Sequence, residues 1–321
     1  MANLNKVKPK ALKPGDTIGI VAPASGAFNP STVYFGTQLL ESWGFKVKLG
    51  KTVHQRHGYM AGTDLERASD LEEMFADHEV KGIVCLRGGY GSMRLLNKMN
   101  LKVVQDNPKV FVGFSDITAL HLAFNQLTGL VTFHGPVLNS MVRNLAGRTR
   151  DTLLHAITNS YPLGKLTNAD TSPRLFAING GKASGSLSGG NLTLVCATLG
   201  TPFEIETKGK LLFLEEVGEE PYRIDRMLTQ LELAGKFDDV AGVIFGESVE
   251  CTPKQFQPSF SCTFSLEEVL IDRFKALGIP VLYNLACGHG QEKLTLPIGI
   301  DATLDADAGV LLIREGAVRK S

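Results

Sequence analysis

The first half of the chain alternates short apolar, β-branched runs with longer segments in which apolar residues recur at helical spacing. This alternation is typical of a parallel sheet whose two faces are covered by helices. The predicted strands are 17–22, 45–49, 82–86, 110–114 and 130–133, and the predicted helices are 31–43, 64–76, 93–99 and 116–126. Because such sheets bind ligands beyond the carboxyl ends of their strands, the turns after 82–86 and 110–114 are the first places to search for chemistry.

The composition changes between residues 167 and 190, where Asn, Asp, Thr, Ser, Gly and Pro predominate. Such a stretch is typical of a linker that leads into a new domain. We therefore predict an N-terminal α/β domain at 1–166, a linker at 167–190 and a smaller mixed α/β domain at 191–321. In this second domain the predicted helices are 192–199, 224–234 and 266–277, and the predicted strands are 210–214, 240–245, 280–284, 293–297 and 310–313.

Charge and composition narrow the class of partner. Lys and Arg together number 33, as do Asp and Glu, so the balance indicates no surface for nucleic acid or membrane. No apolar run approaches the roughly 18 residues of a membrane span, and the N-terminus lacks the apolar core of an export signal. The five cysteines form no Cys-x-x-Cys pair, and His-Glu-x-x-His is absent. We expect a cytoplasmic protein that acts on a small molecule and uses no metal or other cofactor.

Ser115 lies where a buried run, Val-Phe-Val-Gly-Phe, passes into a helical pattern that begins Asp-Ile-Thr-Ala-Leu-His. A serine at such a turn projects its hydroxyl from the sheet edge, and the next amide, that of Asp116, is placed to stabilise an oxyanion. The pattern favours a nucleophile elbow, although Ile117 stands where the Gly-x-Ser-x-Gly consensus has its second glycine. The alternative is that Ser115 only caps the following helix.

A glycine-rich turn, Arg87-Gly88-Gly89-Tyr90-Gly91, follows the predicted strand 82–86. Backbone amides in such a turn can bind an anion. The turn has neither the Gly-x-Gly-x-x-Gly spacing nor the lysine of nucleotide-binding loops, so an oxyanion or a carboxylate is the favoured guest. A plain tight turn that requires positive φ is the alternative.

Glu215 and Glu216 end the apolar run Leu-Leu-Phe-Leu. Because side chains alternate along a strand, the two carboxylates should point to opposite faces, and only one of them can meet a histidine. A surface charge or an ion pair with Arg223 or Arg226 is the alternative to a catalytic carboxylate.

His289 lies between two glycines after the apolar run Val-Leu-Tyr-Asn-Leu-Ala-Cys, so its ring has room to face a cleft. An exposed loop histidine without a role is the alternative. Among the other histidines, His134 follows the predicted strand 130–133 and is a candidate binding group.

Together these segments resemble the LD-carboxypeptidase family of serine peptidases, the murein tetrapeptide carboxypeptidases. The resemblance begins at Pro14-Gly-Asp-Thr-Ile-Gly-Ile-Val-Ala and includes Arg-Gly-Gly-Tyr-Gly, Gly-Phe-Ser-Asp-Ile-Thr, Gly-Gly-Asn-Leu and Leu-Glu-Glu-Val-Gly before it ends at Lys293-Leu-Thr-Leu-Pro-Ile-Gly. It implies an N-terminal domain like the class I glutamine amidotransferases, with a Rossmann-like parallel sheet. It also implies a smaller C-terminal swivelling β/α domain, a groove between the two domains and a homodimer.

The resemblance further implies a Ser-His-Glu triad of Ser115, His289 and Glu215. The reaction would be release of the terminal D-alanine from a murein tetrapeptide during cell-wall recycling. The family's glutamate falls on the first of the pair, Glu215, although the family often has Glu-Asp where this chain has Glu215-Glu216. The oxyanion would be held by the amides of Gly89 and Asp116. The candidate groups for binding the substrate are Arg87, Tyr90, Arg226 and His134.

Three alternatives remain at this point. A branch of the same family, the microcin C self-immunity peptidases, cleaves an acyl-sulfamoyl adenylate conjugate and would need an aromatic loop to stack the nucleotide. Trp43, the single tryptophan, falls in an early helix and gives that reading little support. A non-catalytic binding protein would use Ser115 as a cap. An amidotransferase would need a cysteine at the elbow, whereas the nearest one, Cys85, falls inside a buried strand.

Overall fold

The computed structural model describes residues 5–143, 145–254 and 256–320. Within these limits the chain forms two compact units. Unit 1 takes in Met1–Leu163, Leu294–Ile300 and Glu315–Ser321, and unit 2 takes in Gly164–Lys293 and Asp301–Arg314. Each unit is a sheet packed with helices, so the chain is a two-domain α/β protein with mixed sheets.

The strands and helices of the described residues are numbered in chain order. The strands are β1 Thr17–Val21, β2 Lys46–Leu49, β3 Val80–Cys85, β4 Val110–Gly113, β5 Thr132–His134, β6 Gly164–Leu166, β7 Phe176–Asn179, β8 Lys182–Asn191, β9 Leu211–Glu215, β10 Gly242–Gly246, β11 Val281–Leu285, β12 Leu296–Ile298, β13 Asp301–Asp305 and β14 Val310–Ile313. The α-helices are α1 Ser31–Ser42, α2 Asp64–Ala76, α3 Leu101–Asp106, α4 Thr118–Thr128, α5 Leu138–Arg143, α6 Gly147–Thr158, α7 Leu192–Ala197, α8 Pro221–Leu233 and α9 Leu266–Lys275.

The sheet of unit 1 has the order β12-β5-β4-β3-β1-β2. All neighbours in it run parallel except β12, which is antiparallel to β5. Strand β4, Val-Phe-Val-Gly, is buried along its whole length because helices cover both faces, which explains its lack of polar alternation. The parallel arrangement brings the carboxyl ends of β3 and β4 to the same edge, as the sequence predicted.

Strand β12 differs from the sequence-based assignment, which placed a strand at 293–297 in the second domain. Leu296 pairs with His134 and Ile298 with Thr132, so the strand extends the sheet of unit 1. An apolar run predicts a strand but does not specify its partner, because pairing between distant segments depends on the tertiary fold.

Two more local differences lie near the strand ends of unit 1. The predicted helix at 93–99 is a short 3-10 turn, Ser92–Leu95. The helix expected from residue 116 begins at Thr118, after a separate 3-10 turn at Ser115–Ile117. Both differences arise because the chain must first turn tightly away from a strand before an α-helix can start.

The sheet of unit 2 has the order β6-β14-β13-β8-β9-β10-β11-β7. The four strands from β8 to β11 are parallel, and the flanking strands are antiparallel. Strand β7 and all of β8 except its last residue lie inside 167–190, for which the composition favoured an irregular linker. Part of the glycine in β8 serves close packing instead, since a Cβ on Gly189 would lie 1.8 Å from the carbonyl oxygen of Phe213.

The helices of the described residues are short. None of them combines the length and the apolar character that a membrane-spanning segment needs.

Candidate active site

Ser115 stands at the carboxyl end of β4 in a strained backbone conformation. Its φ is 64°, in the left-handed region that residues with a Cβ seldom adopt. The preceding residue is still extended, so the chain reverses sharply at the serine itself. A sharp strand-to-helix turn with a strained serine is the geometry of a nucleophile elbow.

The elbow depends on a close contact between Gly113 and Ile117. A Cβ on Gly113 would lie 2.6 Å from Ile117 Cγ2, so the isoleucine that departs from the consensus packs directly over the first glycine. The residue at the N-cap of α4 is Ile117, and no side chain caps that helix. Because Ser115 lies two residues earlier with a left-handed φ, its conformation does not match the helix-cap alternative.

Two buried histidines lie behind the elbow. His121 on α4 is 1% exposed and lies 2.8 Å, through Nε2, from the carbonyl oxygen of Gly113 and 2.9 Å, through Nδ1, from Thr132 Oγ1. Burial lowers its pKa to about 3, so the ring is neutral and Nε2–H donates to Gly113. His134 is also 1% exposed, with its ring 6.0 Å from that of Phe114. Both rings therefore support the strand end. His134 was predicted to be a binding group, but its ring is buried and does not line an open site.

The glycine turn lies directly against Ser115. A Cβ on Gly88 would lie 3.1 Å from Ser115 Oγ and 3.2 Å from the amide nitrogen of Asp116, which leaves no room for a side chain. Gly89 has φ +106°, and a Cβ there would lie 2.5 Å from Ser25 Oγ. The two glycines thus allow the backbone of the turn to approach the serine and its following amide, as anion binding requires.

The carboxylate of Asp116 joins the glycine turn to the elbow, a role that the sequence did not reveal. Its Oδ2 accepts a 2.8 Å hydrogen bond from the amide of Ser92, and Ser92 Oγ donates to the carbonyl oxygen of Asp116. Burial raises the pKa of Asp116, and the hydrogen bonds from Ser92 oppose that shift. The amide of Asp116 is consequently held at a fixed place beside Ser115.

Glu215 and His289 form a hydrogen-bonded pair in unit 2. His289 Nδ1 lies 2.6 Å from Glu215 Oε2, and the glutamate side chain is fully buried. Two glycines make the space, since a Cβ on Gly288 would lie 3.1 Å from Glu215 Oε2 and one on Gly246 3.2 Å from Glu215 Cβ. Because a carboxylate accepts hydrogen bonds, Nδ1 carries the proton and Nε2 is left as the proton acceptor of the ring.

Glu216 points elsewhere, as the strand alternation predicted. Its Oε1 accepts a 2.9 Å hydrogen bond from Asn191 Nδ2, and its Oε2 accepts from Thr193. Glu215, not Glu216, is therefore the carboxylate that meets the histidine. The suggested arginine partner Arg223 instead lies 3.6 Å from Glu219.

Two further charged residues that sequence reasoning missed, Lys293 and Glu247, lie against the loop that carries His289. Lys293 Nζ donates to the carbonyl oxygen of Gly290, and a Cβ on Gly290 would lie 1.8 Å from Glu247 Oε2. Burial lowers the pKa of Lys293 and raises that of Glu247, while their opposite charges counteract both shifts. No spacing in the sequence links Glu247 to this loop, because β10 and β11 bring them together only in the sheet.

The remaining candidate binding groups are on the surface of their units. Tyr90 is 47% exposed, and its ring packs edge-on against that of Tyr59 at 5.4 Å. Arg226 is exposed on α8 and lies over the ring of Tyr222. Among the contacts described within unit 1, Tyr90 does not touch Ser115. Among those described within unit 2, Arg226 does not touch Glu215 or His289.

Comparison with known proteins relates both units to one family. The LD-carboxypeptidase N-terminal domain profile matches residues 18–135, and the LD-carboxypeptidase C-terminal domain profile matches residues 184–304. A probable murein peptide carboxypeptidase of Bacillus subtilis is 43% identical over 96% of this chain and 95% of its own length.

Solved structures give the same relationship. The muramoyltetrapeptide carboxypeptidase of Oxalobacter formigenes has a TM-score of 0.81 at 30% identity, over 95% of this chain and 100% of that one. The microcin C7 self-immunity protein in complex with aspartyl sulfamoyl adenosine has a TM-score of 0.84 at 26% identity, over 98% of this chain and 100% of that one.

Proposed function

Because the chain belongs to the LD-carboxypeptidase family, we propose that it hydrolyses the bond between an L-centre and the terminal D-alanine of murein tetrapeptides. The related carboxypeptidases of Bacillus subtilis and Oxalobacter formigenes are named for murein peptides, which supports this substrate class. The enzyme is a serine carboxypeptidase, and the product D-alanine and the tripeptide would serve peptidoglycan recycling.

The observation that carries the mechanism is the Glu215–His289 pair. A buried carboxylate on Nδ1 fixes the imidazole tautomer and stabilises the imidazolium that forms when Nε2 takes a proton. We assign Nε2 to remove the proton of Ser115 Oγ as this oxygen bonds to the scissile carbonyl carbon. The amides of Gly89 and Asp116 would hold the resulting oxyanion.

The remaining steps follow from the same groups. The tetrahedral intermediate collapses, the bond to the D-alanine nitrogen breaks, and His289 returns the proton to that nitrogen. A water molecule then loses a proton to His289 and attacks the ester at Ser115. The ester bond breaks, Ser115 Oγ regains its proton, and the tripeptide is released.

The proposal requires Ser115 of unit 1 to meet His289 of unit 2. The family further suggests a class I glutamine amidotransferase-like N-terminal domain, a swivelling C-terminal domain, a homodimer and a cytoplasmic location. We keep Tyr90 and Arg226 as proposed substrate contacts, because both are exposed. His134 we assign to support of the elbow, because its ring is buried.

Mass-spectrometric measurement of D-alanine release from a murein tetrapeptide tests the proposal. The native protein should release D-alanine, and Ser115→Ala should lower kcat/KM by about 10⁵-fold while circular dichroism and the thermal unfolding midpoint stay close to native. Turnover by Ser115→Ala at the native rate would refute the assignment of the nucleophile. An inactive native protein would refute the proposed substrate.

A second candidate is hydrolysis of aminoacyl-sulfamoyl nucleosides, which the structural likeness to the microcin C7 self-immunity protein supports. The 43% identity to a murein peptide carboxypeptidase favours the first candidate. Measurement of kcat/KM for both substrates on one preparation decides between them, and the tetrapeptide should be the better substrate.

A further inference from the structure

Arg87 has an unsatisfied hydrogen-bonding group beside the glycine turn. Its Nη1 is buried and has no hydrogen-bond partner among the described residues. The guanidinium carbon lies 4.0 Å from the centre of the Phe28 ring, which covers one face of the group. A buried donor without an acceptor destabilises the folded protein, so a ligand that supplies the acceptor would be bound favourably.

The charge of Arg87 is also unbalanced. No described carboxylate forms an ion pair with it. Burial lowers the pKa of Arg87, and the nearby positive charge of Arg143 lowers it further. The contrast in the same unit is Arg94, whose guanidinium donates to both carboxylate oxygens of Asp64. Because Arg87 has no ion pair with a described carboxylate and Arg143 adds a second positive charge, this environment favours an anionic guest.

The position of the guanidinium relates it to the nucleophile. A Cβ on Gly89 would lie 3.6 Å from Arg87 Nη2, so the group curls back over this glycine. The neighbouring Gly88 is the residue whose Cβ would lie 3.1 Å from Ser115 Oγ. Arg87 therefore lies over Gly89, whose amide is assigned to the oxyanion. Gly89 in turn is the neighbour of Gly88, the glycine that lies against Ser115.

We propose that Arg87 binds the terminal carboxylate of the peptide substrate and thereby restricts cleavage to a free C-terminus. This inference rests on the proposed function and deepens it. The terminal carboxylate is attached to the α-carbon next to the leaving nitrogen, so in any cleavable peptide it lies beside the nucleophile. A planar guanidinium matches a carboxylate with two parallel hydrogen bonds, and a bound carboxylate also neutralises the repulsion from Arg143.

A side-chain carboxylate of the third peptide residue is the other possible source of the anion. It belongs to the acyl side of the scissile bond and is separated from the reacting carbon by a long, rotatable chain. Only the terminal carboxylate has a distance from Ser115 that the covalent structure of the substrate fixes. The geometry over Gly89 therefore favours the terminal group.

The experiment compares kcat/KM for a tetrapeptide with a free D-alanine carboxylate and for the same peptide with a C-terminal amide. The native enzyme should prefer the acid by roughly 10- to 100-fold, the size expected for hydrogen bonds to a charged group. Arg87→Gln should lower this acid-to-amide ratio to about one, and Arg87→Lys should keep part of it. Arg94→Gln is the matched control and should keep the native ratio, since its partner is Asp64.

Three outcomes would overturn the proposal. The first is a native enzyme that cleaves acid and amide alike. The second is an Arg87→Gln variant that loses activity on both peptides by the same factor, because a structural role would do this. The third concerns peptides with diaminopimelate or lysine at the third position. If Arg87→Gln abolishes only the discrimination between these two, the residue binds the side-chain carboxylate.

A binding measurement separates this inference from the proposed function. Calorimetry on Ser115→Ala should show tighter binding of the acid than of the amide, and Ser115→Ala/Arg87→Gln should bind both equally. If the native protein releases no D-alanine but this binding pattern holds, the proposed function fails and the carboxylate site stands. If D-alanine is released and Ser115→Ala binds both peptides equally, the site fails and the function stands.

Discussion

The elbow at Ser115 and the Glu215–His289 pair place their reactive groups by opposite means. The elbow relies on backbone shape: a left-handed serine, an isoleucine over a glycine, and a neutral buried histidine behind it. The pair relies on charge and hydrogen bonding, with a fully buried carboxylate on the imidazole. The proposed nucleophile is therefore aimed by steric fit, whereas the proposed base is activated by electrostatics, so different substitutions should damage each.

The first prediction tests the electrostatic side. Glu215→Gln keeps the shape of the side chain but offers Nδ1 an amide in place of a carboxylate, so the imidazolium loses its stabilisation and the tautomer is no longer fixed. We expect kcat to fall by roughly 10⁴-fold. Steady-state D-alanine release measures the effect.

Glu216→Gln is the matched control for that change. Glu216 bonds to Asn191 and Thr193 instead of a histidine, so kcat should stay within a few-fold of native. Equal losses in the two variants would contradict the distinct roles of the neighbouring glutamates.

The second prediction concerns acid stability behind the elbow. His121 has a pKa of about 3 in the folded protein against about 6.5 when unfolded, so the unfolded state binds the extra proton between these values. This contribution to stability is complete above pH 6.5 and is lost as the pH falls towards 3, by up to about 1.4 kcal/mol per pH unit. His121→Gln, which cannot gain this charge, should flatten the acid side of the stability curve.

Urea unfolding at a series of pH values from 7 to 4 measures this slope. His78→Gln, at an exposed loop position, serves as the control and should keep the native pH dependence. Identical slopes for native protein and His121→Gln would show that the buried ring does not control acid stability.

The third prediction tests steric fit at the elbow. Gly88→Ala adds a Cβ 2.9 Å from Ser115 Cβ, which forces the turn and the serine apart. A displacement of about 1 Å at a reacting group costs on the order of 10²-fold in rate. We expect a loss of that size in kcat, while Gly147→Ala, whose added Cβ has nothing within 4 Å, should leave kcat unchanged.

The smallest effect concerns stability, where the usual order of alanine and glycine variants should be reversed at Ser115. Ser115→Gly should be more stable than Ser115→Ala by about 1 kcal/mol, because glycine adopts φ 64° without the steric cost that the Cβ of alanine adds. At most positions alanine is the more stabilising of the two residues. Chemical denaturation of both inactive variants measures the difference, and a more stable alanine variant would contradict a strained elbow.

Sequence reasoning was most successful where chemistry and local pattern coincide. The family resemblance is confirmed by both domain profiles, and the alternation of the first half correctly predicted a parallel sheet with Ser115 and the glycine turn at one edge. Period-two alternation also predicted the divergence of Glu215 and Glu216. These features follow from local geometry, which a short stretch of sequence contains.

Other features depend on contacts between distant segments. The pairing of β12 with β5, the contact of Glu247 with Gly290 and the link from Asp116 to Ser92 have no local signature. The glycines of β8 resembled a linker, because a composition count does not distinguish a loop from a strand packed closely on its neighbour.

The sequence alone establishes the family, the alternating α/β pattern and the three residues proposed for the triad, since each depends on residue type within a short motif. Tertiary contacts were needed to show that Glu215 meets His289, that Ser115 has a left-handed backbone, and that Arg87 Nη1 is buried without a hydrogen-bond partner among the described residues. Burial, strain and the absence of a partner depend on everything packed around a residue, and most of those neighbours lie far away along the chain.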